Sequence, residues 1–224
     1  MVAPLVIALG LAAQSPAVPV ERGQVLYRMT LLRAAPGRLL EVIADVKASA
    51  RGATVLRHSQ GDQWDLMVVA PVGSYGEHFA RADAPAPLAD PARLSFQEDT
   101  FVRGPDLRLL PGFEAAGLYH VEMFHALAGQ RDALLRERDM ENAYLRALGR
   151  PTNAIFVREL GGAWDAFTLG AYRSWKHFAE RDDIPPERSQ AAARDAGFES
   201  ADHIGPYLRS LIESHQDTLA TPVR

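Results

Sequence analysis

The chain has 224 residues, of which 47% are hydrophobic and 23% charged, so it can bury a core as one domain or as two small ones. Its net charge of −4 and the lack of any Lys/Arg cluster argue against a nucleic-acid binder, which would carry a basic stripe. The absence of cysteine excludes disulfides, thiolate metal sites and a cysteine nucleophile, and no apolar run reaches the roughly 18 residues that a membrane-spanning helix needs.

The amino terminus has the character of a secretory signal. Its first 17 residues, MVAPLVIALGLAAQSPA, are apolar, small and uncharged, with plausible cleavage positions after Ala13 or Ala17. The Lys or Arg that usually begins such a signal is missing. We predict a signal peptide over residues 1–20 and export to the periplasm or the exterior; a misassigned start and a cytoplasmic protein are the alternative.

Hydrophobic patterning along the rest of the chain predicts alternating strands and helices. The first half reads as a strand over 24–33, a helix over 38–50, strands over 54–58 and 64–70, a short helix over 74–80 and a strand over 94–102. The second half reads as a strand over 118–126, a helix over 130–148, strands over 154–159 and 164–171, and helices over 174–180, over 190–196 and from Pro206 to about Leu219.

The two halves repeat one another. Matching residues occur in the same order in both: Leu26-Tyr27 and Leu118-Tyr119, then Trp64-Asp65 and Trp164-Asp165, then His78-Phe79-Ala80 and His177-Phe178-Ala179. We therefore predict a duplicated βαββ unit. The first repeat covers residues 21–104, a Pro/Gly-rich linker covers 105–116, the second repeat covers 117–182, and a C-terminal helical extension covers 183–224.

A repeated βαββ unit with a glycine turn before an aromatic-bearing strand resembles the dimeric α/β-barrel superfamily. The segment GGAWDAFTLGAYRSWKHFAE is similar to the strand, tyrosine and short helix of NIPSNAP-like and stress-responsive barrel domains. The resemblance covers residues 25–180 and implies an α+β fold of two ferredoxin-like repeats, whose antiparallel sheets pack as a barrel between subunits or within one chain. Relatives include cofactor-independent monooxygenases, small-molecule binders and haem enzymes of the chlorite-dismutase type, so the fold does not choose a function.

The first strand of each repeat carries the candidate site. Side chains alternate along a strand, and the mixed face holds His120, Glu122 and Phe124 in the second copy and Arg28 and Thr30 in the first. We expect the other, apolar face of each strand to pack under the helices. The mixed faces would then line a hollow inside the barrel, with the few convergent polar groups that are usual in a small-molecule site.

His120 and Glu122 are the candidate catalytic residues, because the carboxylate can orient the imidazole as a general base or as a metal ligand. The alternative is a buried His–Glu pair whose two side chains only bond to each other and have no functional role. The candidate ligand-binding residues are Arg28, Thr30, Phe124, Tyr172 and Tyr207. The recurring Trp-Asp pairs are interpreted as hairpin structure, and Arg138, Glu141 and Arg150 as surface or interface charges.

Three functions remain open. The first hypothesis is a cofactor-independent monooxygenase-like enzyme that acts on a small apolar or aromatic compound. The second is a non-catalytic ligand-binding or oligomeric module of NIPSNAP-like type, and the third, ranked lower, is haem binding through one histidine. No GxSxG, HExxH, P-loop or GxGxxG motif occurs, so the sequence assigns no cofactor and no dedicated metal site. The predicted partners are a small-molecule ligand and a second copy of the chain.

Overall fold

The structure is a computed structural model that describes residues 23–60, 63–80 and 87–224. The predicted signal peptide lies outside the described residues. The strands are β1 (Val25–Ala34), β2 (Thr54–Gln60), β3 (Leu66–Gly73), β4 (Leu94–Gly104), β5 (Leu118–Ala126), β6 (Asn153–Gly161), β7 (Ala166–Tyr172) and β8 (Ile212–Pro222). The α-helices are α1 (Leu39–Ser49), α2 (Tyr75–Phe79), α3 (Arg131–Ala147), α4 (Trp175–Ala179), α5 (Pro186–Asp195) and α6 (Ile204–Arg209).

The strands form one closed antiparallel barrel in the order β1-β3-β2-β8-β5-β7-β6-β4. Each half contributes a ferredoxin-like sheet, β4-β1-β3-β2 from the first copy and β8-β5-β7-β6 from the second. The two sheets join where β2 meets β8 and where β6 meets β4. The predicted α+β fold of two ferredoxin-like repeats is confirmed, and the barrel closes within a single chain.

The helix predicted from Pro206 to about Leu219 is wrong beyond Arg209. The residues that follow form β8, which takes the place in the second half that β4 has in the first. Each copy is therefore a βαββαβ unit. The strand escapes sequence reading because its inward positions include Gln216 and Thr218 rather than large apolar residues, so no apolar period of two is visible.

The interior of the barrel is filled by side chains. The apolar faces of β1 and β5 point inward, and their residues meet aromatic side chains of β6, β7 and the hairpins: Tyr27, Met29, Leu31, Tyr119, Val121, Met123, Phe156, Phe167, Trp64 and Trp164. The predicted orientation of the first strands is therefore reversed. Side chains can fill the interior of an eight-stranded barrel. Here the apolar faces do so, and the mixed faces lie on the outside with the helices.

The predicted linker between the copies belongs to the core. Leu107, Phe113 and Ala116 are buried with the barrel interior. The Tyr27 hydroxyl donates to the carbonyl of Pro105 at 2.8 Å, and the Tyr119 hydroxyl donates to the carbonyl of Phe113. The segment closes one end of the barrel and fixes the two copies against each other.

The recurring Trp-Asp pairs have the structural role that the sequence predicts. The Asp65 carboxylate accepts the N–H of Ala34 at 2.8 Å, and the Asp165 carboxylate accepts the N–H of Ala126 at 3.0 Å. Each aspartate thus ties the second hairpin strand of its copy to the end of the first strand. The tryptophans beside them are buried in the barrel.

Replacing Asp165 with Ala is expected to lower the free energy of unfolding by about 1–3 kcal/mol, because Asp165 also accepts from Arg158 at 2.6 Å. Burial by itself raises the pKa of Asp165, but the Arg158 guanidinium and the Ala126 N–H hold it below its ordinary 3.8. The stabilisation is therefore present above that pH and is lost as the pH falls. Urea unfolding at pH 7 and below pH 3.8 measures it, with the exposed Asp183→Ala as control. A difference from the parent that stays constant as the pH falls contradicts the prediction.

Candidate functional site

A cavity lies between α3 and the outer face of β5, β6 and β7, and we call it the helix-side cavity. Its volume is about 350 Å³, and its walls include His120, Glu122, Glu141, Arg150, Tyr172 and Phe178. His120 and Glu122 project from the outward face of β5. Across the neighbouring strands Glu122 faces Thr168 and Asp217, while His120 faces Gly170.

His120 is held by a carboxylate from the last strand. Its Nε2 lies 3.2 Å from Asp217, whose other oxygen lies 3.0 Å from His215 Nε2. Burial lowers the pKa of His120, but the bond to Asp217 and the charges of Glu122, Asp217 and Glu141 outweigh burial and raise it. Burial raises the pKa of Asp217, and the two histidines outweigh it and lower it. The arrangement can hold a proton or a cation beside the cavity.

Arg138 lies buried between α3 and the sheet, with only 2% of its surface exposed. Its guanidinium donates to Glu137 at 2.6 and 2.8 Å and to Glu141 at 2.8 Å, makes long contacts of 3.5 Å with Glu122, and lies over the Phe124 ring. Burial raises the pKa of both Glu137 and Glu141. The Arg138 guanidinium is therefore the shared counter-charge of three carboxylates.

The first copy shows that the fold does not need these charges. Gly37 and Gly129 occupy matching turns with the same positive φ of 78°, and at equal distances from them Val46 of α1 corresponds to Arg138 of α3. Val46 is fully buried in an apolar cluster. Thr30 likewise stands where the second copy has Glu122. Two of the charged residues of the second copy, Arg138 and Glu122, therefore have uncharged counterparts in the first.

The structure brings only some of the predicted site residues together. His120, Glu122 and Tyr172 line the helix-side cavity. Arg28 and Thr30 lie on the opposite side of the barrel, because β1 and β5 are four strands apart in a ring of eight. Both contact Asp99 there, Thr30 by a hydrogen bond and Arg28 at 3.7 Å. Their predicted grouping with His120 is wrong, because the mixed faces point outward and away from each other.

Two other predicted ligand contacts belong to the packing around the cavity. Phe124 is buried beneath the Arg138 guanidinium, 5.0 Å from its ring centre. Tyr207 packs with the apolar cluster of α3 and α6, and its ring meets Phe198 edge-on. Neither is among the walls of the helix-side cavity.

Sequence reading missed Asp217, Arg138 and Glu141 as site residues. The interpretation of Arg138 as a surface charge is wrong, because the side chain is buried. A signal was available in the helix: Leu134, Arg138 and Glu141 follow the spacing of one helical face, and Leu134 is apolar. Asp217 carried no such signal, since its strand was predicted as helix.

One group of side chains in the described residues has the make-up of a cation site. His120, Glu122 and Asp217 each offer a ligand atom, and these atoms lie within 4.8 Å of one another. All three project from two paired strands, β5 and β8. An imidazole with two carboxylates can coordinate a divalent metal.

No protein-family model matches the chain, and no curated protein matches it. Solved structures do. An anthrone oxidase-like protein superposes with a TM-score of 0.59 at 9% identity, over 93% of this chain and 95% of that one. A proposed monooxygenase from Lactobacillus acidophilus gives 0.54 at 6% identity over 90% and 95%, and another from Fusobacterium nucleatum gives 0.50 at 6% over 90% and 94%. The chain has a ferredoxin-like α/β-barrel fold.

The likeness extends along nearly the whole ferredoxin-like barrel, so both copies and β8 belong to the shared architecture. At identities below 10% it shows the fold and nothing finer. In the described part of this barrel, no helix combines the length and apolar character that crossing a bilayer requires.

Proposed function

We propose that this chain is an enzyme that acts on a small, largely apolar or aromatic molecule in the helix-side cavity, with His120 and Glu122 as its catalytic residues. The cavity supports this because it joins polar groups to aromatic walls. Tyr172 and Phe178 meet edge-on at 5.1 Å, and the Phe178 ring lies 5.6 Å from the His120 imidazole. Cavities of this make-up are the usual small-molecule sites.

The buried charged layer is the observation that carries the proposal. Removing several charges from water costs stability, and apolar residues at the same positions are often at least as stable. In the first copy the apolar Val46 stands at the position of Arg138, and the uncharged Thr30 stands at the position of Glu122. A catalytic role accounts for the charges that the second copy retains, since active sites are where buried groups with perturbed pKa values collect.

The proposed chemistry is oxygenation without an organic cofactor. The names of the solved neighbours, two proposed monooxygenases and an anthrone oxidase-like protein, motivate this class. A ring CH₂ whose carbanion is conjugated with a ring carbonyl loses a proton in the cavity, and that carbanion supplies the electrons that reduce O₂. One oxygen atom enters the ring as a carbonyl, and the other leaves as water with the two hydrogens of the former CH₂.

Purified protein is expected to consume O₂ in the presence of anthrone or of smaller ring ketones, and His120→Ala is expected to lower that rate at least about 100-fold. An oxygen electrode measures the rate. His203→Ala is the matched control, because His203, like His120, contacts a carboxylate, that of Glu199 at 3.5 Å, but lies outside the cavity. The control is expected to keep the parent rate.

Glycine substitutions test whether the ketone probes bind in the helix-side cavity, in addition to the test of His120 itself. An added Cβ at Gly170 would come within 2.6 Å of Asn153 Oδ1 and 3.1 Å of the Tyr172 ring, whereas a Cβ at Gly205 meets nothing. Gly170→Ala should therefore weaken binding of the ketone probes and Gly205→Ala should not.

If the protein consumes O₂ with none of the probes, or if His120→Ala and the parent consume it at equal rates, the proposed enzymatic function is rejected. Binding without turnover supports the non-catalytic alternative, and a Soret band in purified protein supports haem.

A further inference from the structure

We infer that a divalent transition-metal ion binds beside the helix-side cavity through His120, Glu122 and Asp217. The inference goes beyond the proposed function, because ion binding does not depend on turnover. Two strands set the three positions: Glu122 and Asp217 are direct partners in the β5–β8 ladder, and His120 is two residues along the same face. A site carried on paired strands is more rigid than one carried on loops.

The ligand atoms are close to the separation that one ion requires. Metal–nitrogen and metal–oxygen bonds of about 2.0–2.2 Å place neighbouring ligand atoms roughly 3 Å apart. His120 Nε2 and Asp217 Oδ1 are 3.2 Å apart. Glu122 is held by Thr168 at 3.0 Å and by Arg138 only at 3.5 Å, so a small movement of its carboxylate brings it within reach. The Asp217 side chain is 49% exposed, which gives an ion access from solvent.

The charge around the site favours a cation. Three carboxylates, those of Glu122, Glu137 and Glu141, contact the buried guanidinium of Arg138, and the carboxylate of Asp217 contacts His120. Of the two ligand carboxylates, that of Glu122 contacts Arg138 at the long distance of 3.5 Å, and that of Asp217 contacts His120 and His215.

In the first copy, the carboxylate that corresponds to Asp217 is neutralised by a side chain rather than by an ion. Asp99 pairs with Thr30 across β4 and β1 as Asp217 pairs with Glu122 across β8 and β5. Arg28 stands at the position of His120, and its Nε lies 3.7 Å from Asp99. The first copy thus carries a permanent cation of its own. The second copy replaces it with an imidazole and adds a carboxylate, which is the composition of a metal site.

An unpartnered oxygen in the cavity wall is independent support. Asn153 is only 9% exposed, yet its Oδ1 has no hydrogen-bond partner among the described residues. It lies over Gly170, 2.6 Å from where a Cβ would be, and Gly170 faces His120 across β5 and β7. Buried acceptors normally have a donor. Water on the bound ion can supply one, and such water occupies the open positions of a catalytic metal site.

The second layer of contacts also fits a metal site. Asp217 is oriented by His215, whose other ring nitrogen lies 2.7 Å from Arg209. Partners of this kind hold ligating carboxylates in place and affect metal affinity. An imidazole with two carboxylates suits a first-row ion such as Zn²⁺ or Mn²⁺, whereas Ca²⁺ and Mg²⁺ prefer oxygen ligands alone.

Isothermal titration of EDTA-stripped protein with Zn²⁺ and with Mn²⁺ tests the inference. We expect one equivalent of at least one of them to bind, while Ca²⁺ and Mg²⁺ bind far more weakly. Asp217→Asn is expected to weaken binding at least about ten-fold, and His203→Ala to leave it unchanged. Glu122→Gln is the second variant if Asp217→Asn does not melt cooperatively. The absorption spectrum of a Co²⁺ complex gives a readout that needs no substrate.

The possible outcomes test the metal site and the proposed enzymatic function separately. Failure of both Zn²⁺ and Mn²⁺ to bind, or unchanged affinity in the folded variants, overturns the inference. If stripped protein binds neither ion and still consumes O₂ with a ketone probe, the proposed function stands without a metal. If it binds one ion at this site and converts no probe, the metal site stands and the proposed function fails.

Discussion

A chain that ends at Ser210 is expected to lose its cooperative fold. β8 pairs with β5 from Ala220 to Ile212 and with β2 from Pro222 to Leu219, so it joins the two halves at one of their two seams. Without it the ring opens, and β2 and β5 each present a row of unpaired backbone groups. Such edges promote aggregation. Thermal melts by circular dichroism and size-exclusion chromatography are expected to show no sharp transition and a large aggregated fraction.

A chain that ends at Pro222 is the control for this truncation. It loses the Val223 N–H bond to the Val55 carbonyl, at 2.9 Å, and the Arg224 bond to the Ala116 carbonyl, at 2.8 Å. It also loses the packing of the Val223 side chain against the apolar cluster of the first copy. We expect it to melt cooperatively, with a loss of about 1–3 kcal/mol. A cooperative melt of the shorter chain would show that β8 is dispensable for the barrel.

Replacing Arg138 with Met is expected to lower the free energy of unfolding by about 3–5 kcal/mol. The substitution keeps an apolar chain of similar length against Phe124 and removes the buried guanidinium that contacts Glu137, Glu141 and Glu122. The loss comes from the carboxylates, which are left buried without a counter-charge. Urea unfolding at pH 7 measures it.

Two variants test whether the loss comes from charge. Arg93→Met removes a first-copy arginine that pairs with Asp45 and Glu41 but is 35% exposed, and it is expected to cost below about 1 kcal/mol. Adding Glu137→Gln to Arg138→Met is expected to recover part of the loss, because residues in contact do not act additively. If Arg138→Met and Arg93→Met cost the same, the buried cluster contributes nothing special.

The fold could be predicted largely from the sequence because its elements have strong local signals. β1 and β5 are rich in large apolar residues, and Gly37 and Gly129 mark the same turn in both copies. β8 lacked that signal because its inward residues are polar. The direction of the first strands was misjudged for another reason: both their faces are buried, with Met29 inward and Leu32 under a helix, so polarity alone does not distinguish the barrel interior from the helix layer.

The sequence pointed to His120 and Glu122 of the candidate site, but it did not show which residues contact them. His120 and Glu122 stand out as a polar pair on an otherwise apolar strand. Their partners come from distant parts of the chain: Asp217 from the last strand, and Arg138 and Glu141 from a helix whose many charges suggested a solvated face. Which of those charges is buried depends on the sheet packed against the helix, and periodicity does not carry that information.

The opposite placement of β1 and β5 in the ring has a consequence for how the molecule can change. The packed interior separates the surface around Arg28 from the surface around His120, so the effects of substitutions on the two sides should add. Substitutions around Arg28 therefore need not disturb the residues around His120. One copy of the repeat can keep side chains that only stabilise the barrel, while the other copy changes the residues of its outer surface.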